Sequence, residues 1–135
     1  MKTLMIVDDD SDDCVFFSKS VSEMDGNVQC VIAISGEDAL MQLRKMNVLP
    51  DFIFLDLNMP RMDGRQCLAE LKKDFKLKDI PVIIFTTSSA QRDIDDTKKL
   101  GAAYFLTKPF DFHLLHLKIQ FIMERISHTT FIVME

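Results

Sequence analysis

The stretch DFIFLDLNMPRMDG, residues 51–64, holds the feature that decides the fold. Its residues 52–55 are all apolar, and a run of this length predicts a strand buried on both faces of a sheet. The run ends at Asp56, a carboxylate at the rim of the predicted core. Because an unpaired charge is costly to bury, the rest of the chain must supply polar or charged partners for Asp56.

This apolar run is one of five that alternate with segments of helical spacing. The predicted strands occupy residues 4–7, 28–34, 52–55, 82–85 and 103–106, and the predicted helices occupy 11–24, 35–46, a segment after 64, 89–100 and 111–126. Strict alternation of strands and helices favours a parallel sheet with helices on both faces. We therefore predict an α/β fold with a doubly wound, five-stranded parallel sheet.

The composition is ordinary for one soluble domain and argues against two classes of partner. The chain has 135 residues and a formal net charge of −5, which offers no basic surface for nucleic acid. Its apolar runs are far shorter than the roughly 20 residues that span a bilayer, and no signal peptide is visible, so we expect no membrane association. The three cysteines lack CxxC spacing, which predicts free thiols in a reducing cytoplasm.

Polar side chains follow four of the predicted strands. They are Asp8, Asp9 and Asp10 after the first strand, Asp56 after the third, Thr86 and Thr87 after the fourth, and Thr107 and Lys108 after the fifth. The carboxyl ends of parallel strands meet at one edge, so these side chains should converge. Carboxylates without His or Cys favour a hard ion such as Mg²⁺. With a lysine and a threonine, such a site is typical of phosphoryl transfer onto an aspartate.

At these residues the chain resembles a response-regulator receiver domain, of the chemotaxis-type single-domain kind found in two-component signalling. Four motifs match in order and spacing: VDDD at 7–10, FLDLNMPRMDG at 54–64, PVIIFTTS at 81–88 and GAAYFLTKPF at 101–110. The resemblance implies a flavodoxin-like fold of five β–α units. It implies a receiver domain over residues 1–126 and a short C-terminal tail over 127–135, with no output domain.

The resemblance also implies a role for each matching residue. Asp56 would be phosphorylated. Asp9 would bind Mg²⁺ directly, Asp8 would assist through water, and Asn58 would offer its backbone carbonyl to the metal. Thr86 would donate to a phosphoryl oxygen, and Lys108 would pair first with the Asp56 carboxylate and then with the phosphoryl group. Thr86, Lys108 and Asp56 would thus be the catalytic set. The remaining aspartates of the first block, Asp10, Asp12 and Asp13, are interpreted as a solvated helix N-terminus without a catalytic role.

Further positions match the pattern of this family. Phe105, three residues before the lysine, would be the aromatic switch residue together with Thr86, whereas Tyr104 lies one place off. On phosphorylation Thr86 would move toward the phosphoryl group, and the Phe105 ring would rotate inward into the space that Thr86 leaves. Pro109 would follow a cis peptide bond that aims Lys108 inward. Asn58 and Ser88 would border the path of the attacking water, and neither is a strong base. We therefore expect a phosphoryl lifetime that is not unusually short.

The implied function is a phospho-acceptor switch rather than an enzyme with a free substrate. The phosphoryl group would come from a sensor histidine kinase or a histidine phosphotransfer protein, and an unidentified protein would receive the output. A second apolar stripe on the last helix, at Leu114, Leu117 and Phe121, suggests a homodimer or partner surface on the face of helix four, strand five and helix five. The apolar tail 131–134 either docks on the domain or lends a strand to a neighbour.

Two other functions compete with this one. A phosphatase of the haloacid-dehalogenase type would also use an aspartate nucleophile, Mg²⁺, Thr and Lys. It needs a second aspartate two residues after the nucleophile, where this chain has Asn58. A degenerate receiver that binds partners without phosphorylation is the other alternative, but none of the matching site residues is missing.

Overall fold

The computed structural model describes residues 2–24, 26–125 and 132–134. The strands are β1 (Lys2–Val7), β2 (Val28–Ala33), β3 (Phe52–Leu55), β4 (Val82–Thr86), β5 (Tyr104–Thr107) and β6 (Ile132–Met134). The helices are α1 (Ser11–Ser22), α2 (Gly36–Lys45), α3 (Gly64–Lys73), α4 (Gln91–Lys99) and α5 (Phe112–Glu124). The predicted α/β alternation is confirmed.

All six strands are parallel and lie in the order β2-β1-β3-β4-β5-β6. The chain first moves outward from β1 to β2 and then returns to β3 on the other side of β1. The strand order therefore reverses between β1 and β3, and in open α/β sheets this is where ligands bind, beyond the carboxyl ends of the strands.

The sixth strand corrects the predicted count of five. β6 pairs in parallel with β5, in the register Tyr104↔Ile132 and Leu106↔Met134. Without it, β5 would be an edge strand with a row of unpaired backbone groups. The apolar tail thus docks on its own domain, which settles the alternative left open by the sequence. Ile126 and Phe131, which belong to the predicted last helix and the apolar tail, lie outside the described residues.

The core consists of two apolar layers, one on each face of the sheet. One layer packs under α2, α3 and α4, and the other packs under α1 and α5. In β3, Ile53 and Leu55 point into the first layer while Phe54 points into the second. Phe54 packs there against Phe17, with ring centroids 4.9 Å apart. Burial on both faces is why β3 is a continuous apolar run rather than an alternating one.

Local hydrogen bonds define the helix ends next to the strand termini. Asp10 is the N-cap of α1, because its carboxylate accepts from the backbone N–H groups of Asp12 and Asp13. The next residue, Ser11, is the first helical residue. Asp63 caps α3 in a reciprocal capping box with Gln66. These caps fix where each helix begins relative to the strand before it.

No helix in the described part of the chain is both long and apolar enough to cross a membrane.

Candidate functional site

Three carboxylates meet at the edge of the sheet where the strand order reverses. Asp8 and Asp9 follow β1, and Asp56 follows the neighbouring strand β3, whose last residue pairs with Val7. The backbone N–H of Asp56 donates to the carbonyl of Val7 at 3.0 Å, which extends this pairing by one residue. One carboxylate oxygen from each aspartate lies within 4.8 Å of the others. The structure thus brings together three residues that are up to 48 positions apart in the sequence.

The three carboxylates differ in their burial and therefore in their ionisation. Asp8 is 1% exposed and Asp56 is 6% exposed, whereas Asp9 is exposed to solvent. Burial raises the pKa of Asp56 to about 6, although the nearby Lys108 ammonium and two backbone N–H groups lower it. Burial likewise raises the pKa of Asp8, against the lowering effect of its hydrogen bond from Lys108. Both acidic groups need a nearby positive charge to remain ionised.

The donor set of this cluster suits a hard divalent cation. It consists of carboxylate oxygens alone, which Mg²⁺ and Mn²⁺ accept and which zinc sites rarely use by themselves. Asn58 is exposed on the loop after β3, and its backbone N–H hydrogen-bonds to the Asp56 carboxylate. The cluster is therefore a candidate divalent-metal site beside Asp56.

Lys108 supplies the positive charge at this site. Its Nζ donates to Asp8 Oδ2 and to Asp13 Oδ2, both at 2.7 Å, and lies 3.7 Å from Asp56 Oδ2. Burial alone would lower the pKa of Lys108, but the hydrogen bonds to Asp13 and Asp8 and the charge of Asp56 hold that pKa above its usual range. The side chain is only 11% exposed, so the ammonium remains charged in a mostly enclosed position.

The predicted cis peptide bond before Pro109 is wrong. All peptide bonds of the described residues, including that between Lys108 and Pro109, are trans. With this trans bond the Lys108 ammonium still reaches the carboxylates, and the backbone N–H of Lys108 donates to the carbonyl of Thr86 at 2.7 Å. This hydrogen bond extends the β4–β5 pairing to the end of the strand, and the lysine side chain leaves from there.

Asp13 is a site residue that the strand-end pattern did not predict. It was grouped with Asp10 and Asp12 as a solvated residue, yet its carboxylate binds Lys108, 95 positions away. A periodicity argument could have found it. Asp13 stands four and seven residues before the fully buried Phe17 and Ser20, so it begins the inward-facing stripe of α1.

Thr86 ends β4 and Phe105 lies in the neighbouring strand β5, and both residues are fully buried. Phe105 belongs to the layer under α2, α3 and α4, whereas Tyr104 belongs to the opposite layer and donates its hydroxyl to the carbonyl of Arg125. Phe105 is therefore on the α4 side of the sheet. The resemblance implied that this ring turns inward on phosphorylation, and in this structure it already lies inside the core.

A polar chain that the sequence did not predict links the loop after β4 to two helices. The Ser88 hydroxyl donates to Asp93 Oδ2 at 2.5 Å, and Asp93 in α4 also binds Arg65 in α3. The backbone N–H of Ser88 lies 3.5 Å from the hydroxyl oxygen of Thr86. The loop beside the site is thus tied to α4 and α3.

Gly64 allows the loop after β3 to pass close to the site. A Cβ atom at this position would lie 2.3 Å from the carbonyl oxygen of Asp56 and 2.6 Å from Cα of Leu57. Both are backbone atoms that cannot move aside as a flexible side chain can. The glycine that ends the DFIFLDLNMPRMDG stretch is therefore required by this close approach.

Comparison with known proteins agrees with this geometry. Residues 4–120 match the family described as the response regulator receiver domain. Response regulator Rcp1 of Synechocystis sp. is 31% identical over 112 residues, which cover 79% of this chain and 76% of Rcp1. Protein PilH of Pseudomonas aeruginosa is 34% identical over 111 residues, covering 82% of this chain and 88% of PilH.

Solved structures of response regulators have the same fold. The phosphorylated cyanobacterial phytochrome response regulator RcpA aligns with a TM-score of 0.82 and 31% identity over 91% of each chain. The Mn²⁺-bound form of Rcp1 aligns with a TM-score of 0.79 and 29% identity, over 92% of this chain and 93% of that one. The predicted fold class is confirmed, with one additional strand. No comparison supports the phosphatase alternative, and the chain belongs to the response regulator receiver domain family.

Proposed function

We propose that this chain is a two-component signalling switch that accepts a phosphoryl group on Asp56. The main support for this proposal is that Asp8, Asp9, Asp56 and the Lys108 ammonium converge at the edge of the sheet where the strand order reverses. The similar response regulator RcpA was solved in a phosphorylated form, which supports the same chemistry here. The functional unit would be the receiver domain of residues 1–126, with β6 of the tail added to the edge of its sheet.

In the proposed reaction an Asp56 carboxylate oxygen forms a bond to phosphorus while the phosphorus–nitrogen bond of a phosphohistidine breaks. The departing imidazole nitrogen keeps the electron pair and takes up a proton. Asp8, Asp9 and Asp56, with the backbone carbonyl of Asn58, would hold Mg²⁺. When bound, Mg²⁺ would offset the negative charge that gathers on the transferring group. The Lys108 ammonium, 3.7 Å from Asp56, would move onto a phosphoryl oxygen, and the Thr86 hydroxyl would donate to another.

The phosphoryl donor in this proposal is a sensor histidine kinase or a histidine phosphotransfer protein. Apart from its own phosphorylation and slow dephosphorylation, the chain would act on no free substrate and would not be an enzyme in the usual sense. Ser88 supports a slow hydrolysis, because its hydroxyl is already donated to Asp93 and it is not a base. A cytoplasmic location is part of the proposal and fits the three free cysteines.

The output surface in this proposal is the face of α4, β5 and α5, on which β6 covers the edge of β5. Leu114, Leu117 and Phe121 of α5 are 43%, 60% and 36% exposed, which leaves a stripe of apolar side chains in solvent. Such a stripe supports docking of a downstream protein or of a second copy of this chain. Thr86 and Phe105 would transmit the change from Asp56 toward this face, with a protein rather than nucleic acid as the target.

The test is phosphorylation by acetyl phosphate with Mg²⁺, followed by the intact mass of the protein. We expect the mass of one phosphoryl group in the wild type, and its loss in Asp56→Asn or with EDTA. Asp95→Asn, which removes a carboxylate from the outer part of α4, is the matched control and should be phosphorylated normally. A folded wild-type protein that gains no phosphoryl group, from acetyl phosphate or from any histidine kinase, would refute the proposal.

A further inference from the structure

We propose that Asp13 is a positioning residue that holds Lys108 off Asp56 in the resting state and competes with the phosphoryl group for it. This inference rests on the proposed function and deepens it, since it concerns how strongly the unphosphorylated state resists the switch. The supporting observation is the resting arrangement of three carboxylates around one ammonium. In this arrangement Lys108 binds Asp8 and Asp13 more closely than it binds Asp56.

The first step is the distribution of hydrogen bonds. An ammonium has three protons, and Lys108 directs two strong hydrogen bonds to Asp8 and Asp13, each at 2.7 Å. Its distance to Asp56, 3.7 Å, is beyond hydrogen-bond length. In the resting state the lysine is therefore bound to the two carboxylates beside the acceptor rather than to the acceptor itself.

The second step is the difference between these two carboxylates. The Asp8 side chain is completely buried and also accepts a hydrogen bond from the backbone N–H of Asp10 at 3.0 Å. Releasing it would leave a charge without water. The Asp13 side chain is 37% exposed, so water can solvate its carboxylate as soon as the lysine departs. Of the two strong bonds to Lys108, the bond to Asp13 is the one that breaks at low cost.

The third step is the change of charge on phosphorylation. The phosphoryl group carries close to two negative charges on three acceptor oxygens, and these replace the single charge of the Asp56 carboxylate. Lys108 then exchanges Asp13 for a phosphoryl oxygen while it stays near Asp8. Asp13 opposes this exchange because it offers the same ammonium a competing charge. Removal of the Asp13 charge should therefore favour the phosphorylated state.

Beryllofluoride, which mimics a phosphoryl group on a carboxylate, is the probe for this competition. At saturating Mg²⁺ we expect Asp13→Asn to bind it roughly threefold to tenfold more tightly than the wild type, as for a partly solvated ion pair. Asp13→Glu retains the charge and should restore an affinity close to that of the wild type. A purely structural role for Asp13 would predict the opposite, namely weaker binding in Asp13→Asn because the site is disturbed.

Two controls separate the Lys108 contact from general electrostatics. Asp12→Asn removes the same charge from the same turn of α1, but Asp12 is exposed and lies outside the three carboxylates that surround Lys108, so its effect should be small. In a Lys108→Gln background, where binding is weaker overall, Asp13→Asn should change the affinity by less than about twofold. An equal gain in Asp12→Asn, or a full gain without Lys108, would overturn the inference.

Failure of this inference is distinguishable from failure of the proposed function. If the wild type binds beryllofluoride and Asp13→Asn binds equally or less tightly, the role of Asp13 is wrong while the switch stands. If the wild type binds no beryllofluoride with Mg²⁺ and gains no phosphoryl group, the proposed function itself is wrong.

Discussion

At the scale of the residue, Asp56 is tolerated at the rim of the core because its surroundings supply partners. Two backbone N–H groups and the Lys108 ammonium act against the burial that raises its pKa. The neighbouring Asp8 raises the pKa further, so the resting site carries more negative charge than its single lysine balances. A cation that binds here, or a phosphoryl group transferred to Asp56, therefore enters a site that already carries excess negative charge.

The Gly64→Ala substitution tests the close approach of the loop after β3. A Cβ atom would overlap backbone atoms of Asp56 and Leu57, so we expect a loss of about 2 kcal/mol or more in the free energy of unfolding. Gly26→Ala is the comparison: no atom lies within 4 Å, and only its φ of +90° is unfavourable, at about 1 kcal/mol. Urea denaturation measures both, and a Gly64→Ala protein as stable as the wild type would contradict the structure.

Asp93 gives a prediction about pH. The Ser88 hydroxyl and the Arg65 pair hold the pKa of Asp93 below its usual value of 3.8, in spite of partial burial. The folded state therefore favours the ionised form, which adds stability above about pH 4 and loses it as the pH falls below that value. We expect Asp93→Asn to destabilise the protein by about 1 kcal/mol at pH 7.

The same substitution should matter less at about pH 3, because the wild-type carboxylate is then becoming protonated. Unfolding curves at the two pH values measure the difference. Asp95→Asn, on the same helix but paired with Gln91 rather than with Arg65 or Ser88, serves as the control. A loss of stability in Asp93→Asn that is the same at both pH values would show that its charge is not what ties α4 to α3.

At the scale of the element, β6 changes the character of the sheet edge. It pairs with the backbone groups of β5. Two successive side chains of β6, Val133 and Met134, point to opposite faces of the sheet. Met134 packs against the layer under α1 and α5, while Val133 is 42% exposed. The strand is therefore held by an inward-facing side chain as well as by its backbone pairing.

A matched pair of substitutions tests this difference between the two sides. We expect Met134→Asp to lower the free energy of unfolding by about 1–2 kcal/mol, because it places a charge against the apolar layer. Val133→Asp adds the same charge to the same strand on the solvent side and should cost less than about 0.5 kcal/mol. Chemical denaturation measures both values. Equal effects at the two positions would mean that β6 does not pack as described.

At the scale of the whole molecule, the doubly wound sheet turns residues from distant segments into one site. The strand order reverses at β1 and β3, so the aspartates that end these strands are neighbours. The two apolar layers hold the strands in register, which makes the position of the carboxylates a consequence of the entire core. Binding at the site is therefore linked to the stability of the fold.

Mg²⁺ should accordingly stabilise the protein against unfolding. A ligand present at about 100 times its dissociation constant adds about 2.7 kcal/mol when it binds only the folded state. We expect an increase of this order in the wild type and little or none in Asp9→Asn at the same Mg²⁺ concentration. Asp9 is exposed and its charge adds to the repulsion within the cluster, so this variant should be at least as stable as the wild type without metal. Matched ionic strength with sodium salt controls for screening.

The strand ends account for most of what could be predicted about the site. Asp8, Asp9, Asp56, Thr86 and Lys108 each follow an apolar run, and parallel strands must end at a common edge. Their convergence therefore follows from local patterns plus one rule of topology. Asp13 does not follow a strand, and its contact with Lys108 depends on how α1 is rotated against the sheet. The helical period of α1 indicates that Asp13 faces inward, but no local pattern identifies Lys108 as its partner.

By itself, the sequence determined the order of strands and helices, the buried character of β3 and the family, because these depend on spacings within a few residues and on motifs that are contiguous. Only the tertiary structure decided that β6 joins the sheet, that the bond before Pro109 is trans, and that Lys108 is shared by Asp8 and Asp13. These features depend on packing between segments far apart in the chain, where small differences in position choose one partner over another.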